Sequence, residues 1–312
     1  MKSLQFRYSP LSDESIAIAD VTNLASGIGF GEPQSELRAT AEALERFWQK
    51  RGPSDHAKIY SLSNAFNDDK LMVSEQAQNV TDSSGTAIHR SLEKAIESAC
   101  LEFIERQSLI AHWRFSTHGV ELSMNNPAEN DHPSETWRIY EISIFEGVYV
   151  CLALFSSPAK STQYSAGAAS GFHLQSTAEK ALRECRQAIL SMQDNLFRRL
   201  TGRPLMDCIQ DEYLKANKPN TSEEWSNSTA LRITIPSQLR RTPNNALELL
   251  ANTTNPPLML VDSLSYDGSP WYIARLLSND WPSGLQDDRP DALKTLSTYL
   301  GNEFRPGPVP FG

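Results

Sequence analysis

Residues 82–113 read D-S-S-G-T-A-I-H-R-S-L-E-K-A-I-E-S-A-C-L-E-F-I-E-R-Q-S-L-I-A-H-W. Leu92, Ala95, Ile96, Ala99 and Phe103 recur at helical spacing, which predicts a helix from near Ser91 to about Trp113 with that stripe buried. Inside it stands Glu102-Phe103-Ile104-Glu105-Arg106. Glutamates three apart share one side of a helix, and an arginine four after the first shares it too. The helix therefore presents two carboxylates and a guanidinium as one patch. The same order recurs upstream as Glu42-Ala43-Leu44-Glu45-Arg46, on a helix predicted from near Ser35 to Arg51-Gly52-Pro53, with Leu37, Ala41, Leu44 and Trp48 on one face. A third helix, predicted from about Thr177 to Leu200, carries Glu184-Cys185-Arg186-Gln187, again a carboxylate and a polar amide three apart.

A single E-x-x-E-R is an ordinary solvated face whose ion pairs contribute about 0.3–0.5 kcal/mol each. Two copies flanked by aromatics read differently. Phe47 and Trp48 follow the first patch, while Phe103 interrupts the second and Trp113 follows it. Carboxylates on buried helices need partners. If the four converge, only cations can balance them, and magnesium takes oxygen ligands while bridging to nucleotide phosphates.

The rest of the chain alternates helices with hairpins. Ile139, Ile142 and Ile144, a turn at Glu146-Gly147, and Val148 to Phe155 predict a hairpin with one strand buried on both faces. Leu258 to Leu277 predicts another, turning at Asp267-Gly268. This order favours an α/β (α+β, mixed) class with antiparallel pairing over a doubly wound parallel sheet. The Gly-bearing stretch Gly27 to Gly31 reads as polar chain leading into the first helix, and 64–69 and 216–227 read as exposed loops. One domain over 1–312 is expected.

With 312 residues, 39% hydrophobic and 21% charged, the chain is long enough for a substantial core. A net charge of −9 argues against a general affinity for nucleic acid or anionic membranes. No run of apolar residues is long enough to span a bilayer and no export signal opens the chain, so a cytoplasmic location is expected. Cys100, Cys151, Cys185 and Cys208 form no C-x-x-C pair and read as small buried apolar residues. His89 and His173 read as loop or capping residues.

Three blocks, Gly27 to Trp48, Asp82 to Trp113 and Tyr164 to Gln187, together resemble the YcaO family, and specifically its azoline-forming cyclodehydratases of the microcin type. The tail Pro306-Gly307-Pro308-Val309-Pro310 reads P-x-P-x-P, as in many azoline-forming members. The resemblance implies a YcaO-like fold with three carboxylate-bearing helices around an ATP and Mg2+ site. It implies that Glu42, Glu45, Glu102, Glu105 and Glu184 are metal and phosphate-site ligands, with Arg46, Arg106 and Gln187 beside them. It further implies that Ser83 and Ser84 approach the nucleotide, and that Pro310 and Gly312 of the 306–312 tail reach the active site. Ile28 stands where the family usually has lysine, and Arg38, a possible phosphate partner, where it has serine.

The activity so implied is ATP-dependent cyclodehydration of a ribosomally made precursor peptide to thiazoline or oxazoline. Thioamide or amidine formation by the same amide activation stays open, as does a non-catalytic scaffold or peptide-binding subunit. The resemblance also implies a leader-binding partner subunit and a flavin dehydrogenase that oxidises azolines.

Overall fold

The structure, a computed structural model, describes residues 5–8, 16–21, 25–30, 34–62, 84–123, 134–200, 217–226, 233–234, 245–285, 287–301 and 309. In chain order these form β1 (Gln5–Tyr8), β2 (Ile16–Val21), β3 (Ala25–Phe30), α1 (Ser35–Arg51), β4 (Lys58–Ser61), β5 (Thr86–His89), α2 (Leu92–Phe115), β6 (Val120–Ser123), β7 (Thr136–Glu141), β8 (Tyr149–Ser156), β9 (Tyr164–Gly171), α3 (Leu174–Leu200), α4 (Thr221–Trp225), β10 (Ile233–Thr234), α5 (Ala246–Ala251), β11 (Leu258–Tyr266), β12 (Ser269–Leu277) and α6 (Pro290–Leu300). The class is mixed α/β, with antiparallel pairing throughout the described residues except between β10 and β6. Two compact units divide the chain: residues 1–103 with 244–292, and residues 104–243 with 293–312.

In the first unit β1, β2 and β3 form one sheet and β4, β11, β12 and β5 another, in that order. Helix α1 packs on both. Its Ala39 and Ala43 meet Ala19 of β2, while Leu44 and Trp48 meet Ile59, Ile88, Leu260, Trp271 and Ile273 of the four-stranded sheet. The small side chains allow close approach on one side and the large ones fill the other. The stretch read as polar chain before α1 is strand β3. Glycines lower strand propensity, which hides it. Gly29 is buried where a Cβ would collide with the Ser35 carbonyl and the Ala39 amide, so a bare backbone is what lets α1 settle on the strand.

The β11–β12 hairpin turns at Asp267 (φ 52°) and Gly268 (φ 69°), two left-handed residues in a two-residue loop, as predicted. Asp262 of β11 ties the end of α1 to this sheet. Its carboxylate accepts from Trp48 Nε1 (2.7 Å), Ser54 N (2.9 Å), Ser54 Oγ (2.6 Å) and Ser263 N (2.8 Å). Desolvation pushes its pKa up, but these donors outweigh it and hold the group below the usual carboxylate value.

In the second unit β10, β6, β7, β8 and β9 form a five-stranded sheet. β8 is buried on both faces, as its continuous apolar run predicts. α3 covers one face through Ala178, Ala181, Leu182 and Cys185, packed against Cys151, Ala153, Phe155 and Ala169. The approach is close because Gly167 of β9 lies under the helix, where a Cβ would strike the Ala181 and Cys185 backbone. The 216–227 stretch is not simply an exposed loop. It contains α4, whose Trp225 is fully buried, lies 4.8 Å from Trp113 between ring centroids, and donates from Nε1 to the Tyr164 hydroxyl at 2.7 Å. A lone tryptophan among Lys, Asn, Ser and Glu was the available signal. The 64–69 stretch lies outside the described residues.

Candidate active site

α1 presents Glu42, Glu45 and Arg46 half-buried on one side, with Arg38 exposed a turn earlier. Glu42 and Arg46 make the expected i,i+4 ion pair at 2.5 Å, and Gln49 Nε2 approaches Glu45 Oε1 at 3.4 Å. With both partners about a quarter exposed, that pair is worth only about 0.3–0.5 kcal/mol, so stability does not account for the acidic patch.

α2 is more unusual. Its first turns bury one stripe, Ala95, Ile96, Ala99, Cys100 and Phe103, as expected. From Ile104 onward it is buried almost all round, and the interior side includes Glu105, Gln107, Ser108, His112 and Arg114. Glu102 is half-buried, Glu105 is 7% exposed, and the nearest Arg106 nitrogen stands 3.7 Å from Glu105 Oε1. Helix α2 enters from Ser91, whose N–H donates to His89 Nδ1 at 2.8 Å. That bond gives His89 the capping role expected of it. His173 serves α3 in the same way through its carbonyl, which accepts from Thr177 N and Oγ1 at 3.0 and 2.7 Å.

Ser84 is buried in the turn before β5, next to Gly85 (φ 68°), whose carbonyl accepts from Leu276 N at 2.9 Å. On α3, Glu184 is exposed and Gln187 half-buried. Ser83, Pro310 and Gly312 lie outside the described residues. Cys100, Cys151 and Cys185 are buried and form no disulfide. Burial pushes the Cys100 and Cys185 thiols up to about 12, which removes them as nucleophiles. Cys208 is not among the described residues.

Among the described residues no three His, Cys, Asp or Glu side chains gather tightly enough to grip a metal by themselves. Mg2+ takes oxygen donors and is held by one or two carboxylates together with substrate phosphates. Half-buried Glu42, Glu45 and Glu102 and buried Glu105 carry donors of that kind, and an arginine accompanies each pair.

One curated relative, the Escherichia coli microcin B17-processing protein McbD, is 25% identical over 162 residues, 48% of this chain and 41% of that protein, so the match spans less than half of the relative's length. A chain of the E. coli microcin synthetase McbBCD complex with pro-MccB17 bound superposes with a TM-score of 0.75 at 16% identity, covering 98% of this chain and 96% of that one. YcaO from Methanopyrus kandleri, bound with AMPPCP and Mg2+, gives a TM-score of 0.62 at 15% identity over 89% and 86% of the two chains. At these identities the two structures establish the fold. The family model for YcaO cyclodehydratase, ATP- and Mg2+-binding, matches residues 72–262, more than half of the sequence, and the chain belongs to the YcaO family.

Proposed function

We propose that this chain is the ATP-dependent cyclodehydratase of a peptide-modifying synthetase, activating backbone amides of a ribosomally made precursor to form thiazoline or oxazoline rings. The observation that carries the reading is a paired-glutamate helix, α2, lying within the span of the family match and burying Glu105 where stability gives no reason for a carboxylate.

In this reading a Cys, Ser or Thr side chain of the peptide adds to the preceding carbonyl carbon and leaves an oxyanion. That addition closes the five-membered ring; transfer of a phosphoryl group to the oxygen, followed by loss of phosphate from the carbon and of the proton from the former amide nitrogen, forms the C=N bond of the azoline. Mg·ATP, when bound, supplies the phosphoryl group and part of the charge neutralisation. The protein's own residues position and balance charge. Glu42, Glu45, Glu102, Glu105 and Glu184 serve as metal and phosphate-site ligands, Gln187 and Ser83 as polar contacts, Ser84 as a backbone and hydroxyl contact, and Arg38, Arg46 and Arg106 as phosphate or structural partners. Pro310 and Gly312 of the Pro-rich 306–312 stretch reach the site in this reading.

McbD's microcin processing, and the McbBCD complex solved with pro-MccB17, support a precursor peptide and partner subunits as the setting, with a flavin dehydrogenase among the candidates. No helix among the described residues is long and apolar enough to cross a membrane, in keeping with a cytoplasmic synthetase.

The test is ATP-dependent phosphate release with precursor and partner subunits present, for the natural protein, Glu102→Gln and Glu105→Gln. Each variant should lose about 100-fold or more, the scale of removing one preorganised electrostatic contact. A natural protein silent with every partner combination would assign the chain to scaffolding instead. Undiminished release by both variants would remove these glutamates from the site.

A further inference from the structure

Along β9, Ser165, Gly167 and Ala169 alternate onto the face of the five-stranded sheet that α3 covers. Register sets Trp137 of β7 opposite Phe155 of β8, and Phe155 opposite Ser165 of β9, so one row across the sheet reads Trp137, Phe155, Ser165. This row meets two consecutive residues of the helix. Fully buried Ser165 donates from Oγ to the Cys185 carbonyl at 3.1 Å. The Arg186 guanidinium lies over the Trp137 ring, 5.8 Å from its centroid, and that ring packs on Phe155 at 4.8 Å between centroids. The turn held in this way is the one that carries Glu184 and Gln187.

The helix does not need the Ser165 hydroxyl for its own hydrogen bonding. Inside an α-helix the Cys185 carbonyl already accepts the N–H four residues on, so Ser165 adds a second donor to a satisfied acceptor. What the neighbouring packing lacks is direction. Ala178, Ala181 and Cys185 of the helix lie against Cys151, Ala153 and Ala169, with Gly167 bare beneath them. Burial of such small apolar surface is non-directional, and it holds α3 down without fixing its rotation. Rotation decides which side of the helix Glu184 leaves from, since a slip of one residue turns the helix by about 100° and advances it by about 1.5 Å. A hydrogen bond at Cys185 and a stacked cation at Arg186 select one setting.

We propose that Ser165 and Trp137 are positioning residues for Glu184 and Gln187: their row across β7, β8 and β9 fixes the rotation of α3, and with it the side from which that carboxylate and amide are offered to the magnesium-bound nucleotide. This rests on the nucleotide-binding reading above and adds two residues that act from the sheet, through the helix, on the site.

The experiment is a double-mutant cycle read by calorimetric titration of the full-length chain with Mg·ATP, with urea unfolding of each variant alongside. Removing both site groups, Glu184→Ala with Gln187→Ala, should weaken Mg·ATP by about 10- to 100-fold, and Ser165→Ala or Trp137→Leu alone by about 3- to 10-fold. Trp137→Phe keeps a ring under the guanidinium and should stay within about twofold of the natural protein. Added to the Glu184→Ala, Gln187→Ala protein, Ser165→Ala should weaken binding by less than about twofold further, because the groups it positions are gone. Should Trp137→Leu fail to fold, the Ser165→Ala arm carries the same comparison. A Ser165→Ala loss that is equal in both backgrounds, or lower stability with Mg·ATP affinity unchanged, would reduce these residues to structural ones and overturn the inference. If the Glu184→Ala, Gln187→Ala protein binds Mg·ATP as well as the natural one, the inference falls while the reading of α1 and α2 stands. A natural protein that does not bind Mg·ATP would overturn both.

Discussion

Removing the Asp262 carboxylate tests whether α1 is held where its glutamates are needed. In Asp262→Ala the indole N–H of Trp48, the backbone N–H and hydroxyl of Ser54 and the N–H of Ser263 all lose their acceptor. The carboxylate is 4% exposed, so little water is at hand to replace it. Hydrogen bonds to a charged group contribute about 1.5–3 kcal/mol each but share one acceptor here, and partial relaxation of Ser54 should leave a net cost of about 3 kcal/mol. Asp262→Asn keeps the shape and one acceptor oxygen while turning two N–H groups toward existing donors. About 1–2 kcal/mol is expected. The sign with pH follows from the depressed pKa: the unfolded carboxylate takes up its proton at about 3.9, the folded one lower, so the stabilisation is complete above about pH 4 and is lost as pH falls through the folded value. Urea unfolding at pH 7, 5 and 3 should therefore show a gap between the natural protein and Asp262→Asn that narrows only at the lowest pH. Because Trp48 lies nearly three turns beyond Arg38 and about one beyond Glu45 on the same helix, Mg·ATP affinity should fall as well. An Asp262→Ala protein within about 0.5 kcal/mol of the natural one at pH 7 would refute the staple, since ordinary surface changes stay inside that margin.

Gly167→Ala should cost about 1–3 kcal/mol in urea unfolding, because the added Cβ meets the α3 backbone at Ala181 and Cys185, where no side chain can swing aside. Gly268→Val should cost about 1 kcal/mol, whereas Asp267→Asn should be neutral, since both positions of the hairpin turn are left-handed and asparagine accepts that conformation. His112 is a pH-sensitive group of the second unit. Burial lowers its pKa, and the carbonyls of Trp225 and Thr117, each 2.7 Å from a ring nitrogen, only partly oppose this. A histidine with a lowered folded value stabilises fully above its ordinary pKa of about 6.5 and less as pH falls below it. Tryptophan fluorescence during urea unfolding at pH 7.5 and 5.5 should show that loss in the natural protein, and a smaller one in His112→Gln.

Much of the fold was legible because local chemistry and tertiary context agree at those points. α1 ends at Arg51 before Gly52 and Pro53, the β11–β12 turn falls on Asp267-Gly268, and β8 is buried on both faces as its run of Val, Cys, Leu, Ala and Phe demands. β3 escaped because its sequence, A-S-G-I-G-F, sacrifices strand propensity for the close approach of a helix. β9, Y-S-A-G-A-A-S-G, is the same trade made against α3. In both strands the small residues are explained by the partner helix and not by the strand itself, and periodicity within one segment contains no information about what packs on it.

The acidic pairs were visible for the opposite reason: spacing alone places Glu102 beside Glu105 and Glu42 beside Glu45. What spacing withholds is depth. α2 carries a weak amphipathic signal because its second half is buried on nearly every side, polar residues included, and a helix of that kind looks in sequence like one with an ordinary polar face. Burial is what separates the two meanings of E-x-x-E-R. On a solvated helix the glutamates are neutralised by water and cost nothing, so any substitution is tolerated. At the 7% exposure of Glu105, with the nearest Arg106 nitrogen at 3.7 Å, a carboxylate is retained against a desolvation cost that an alanine or leucine would avoid. Under the proposed function that cost is offset by what the group binds, the magnesium-bound triphosphate.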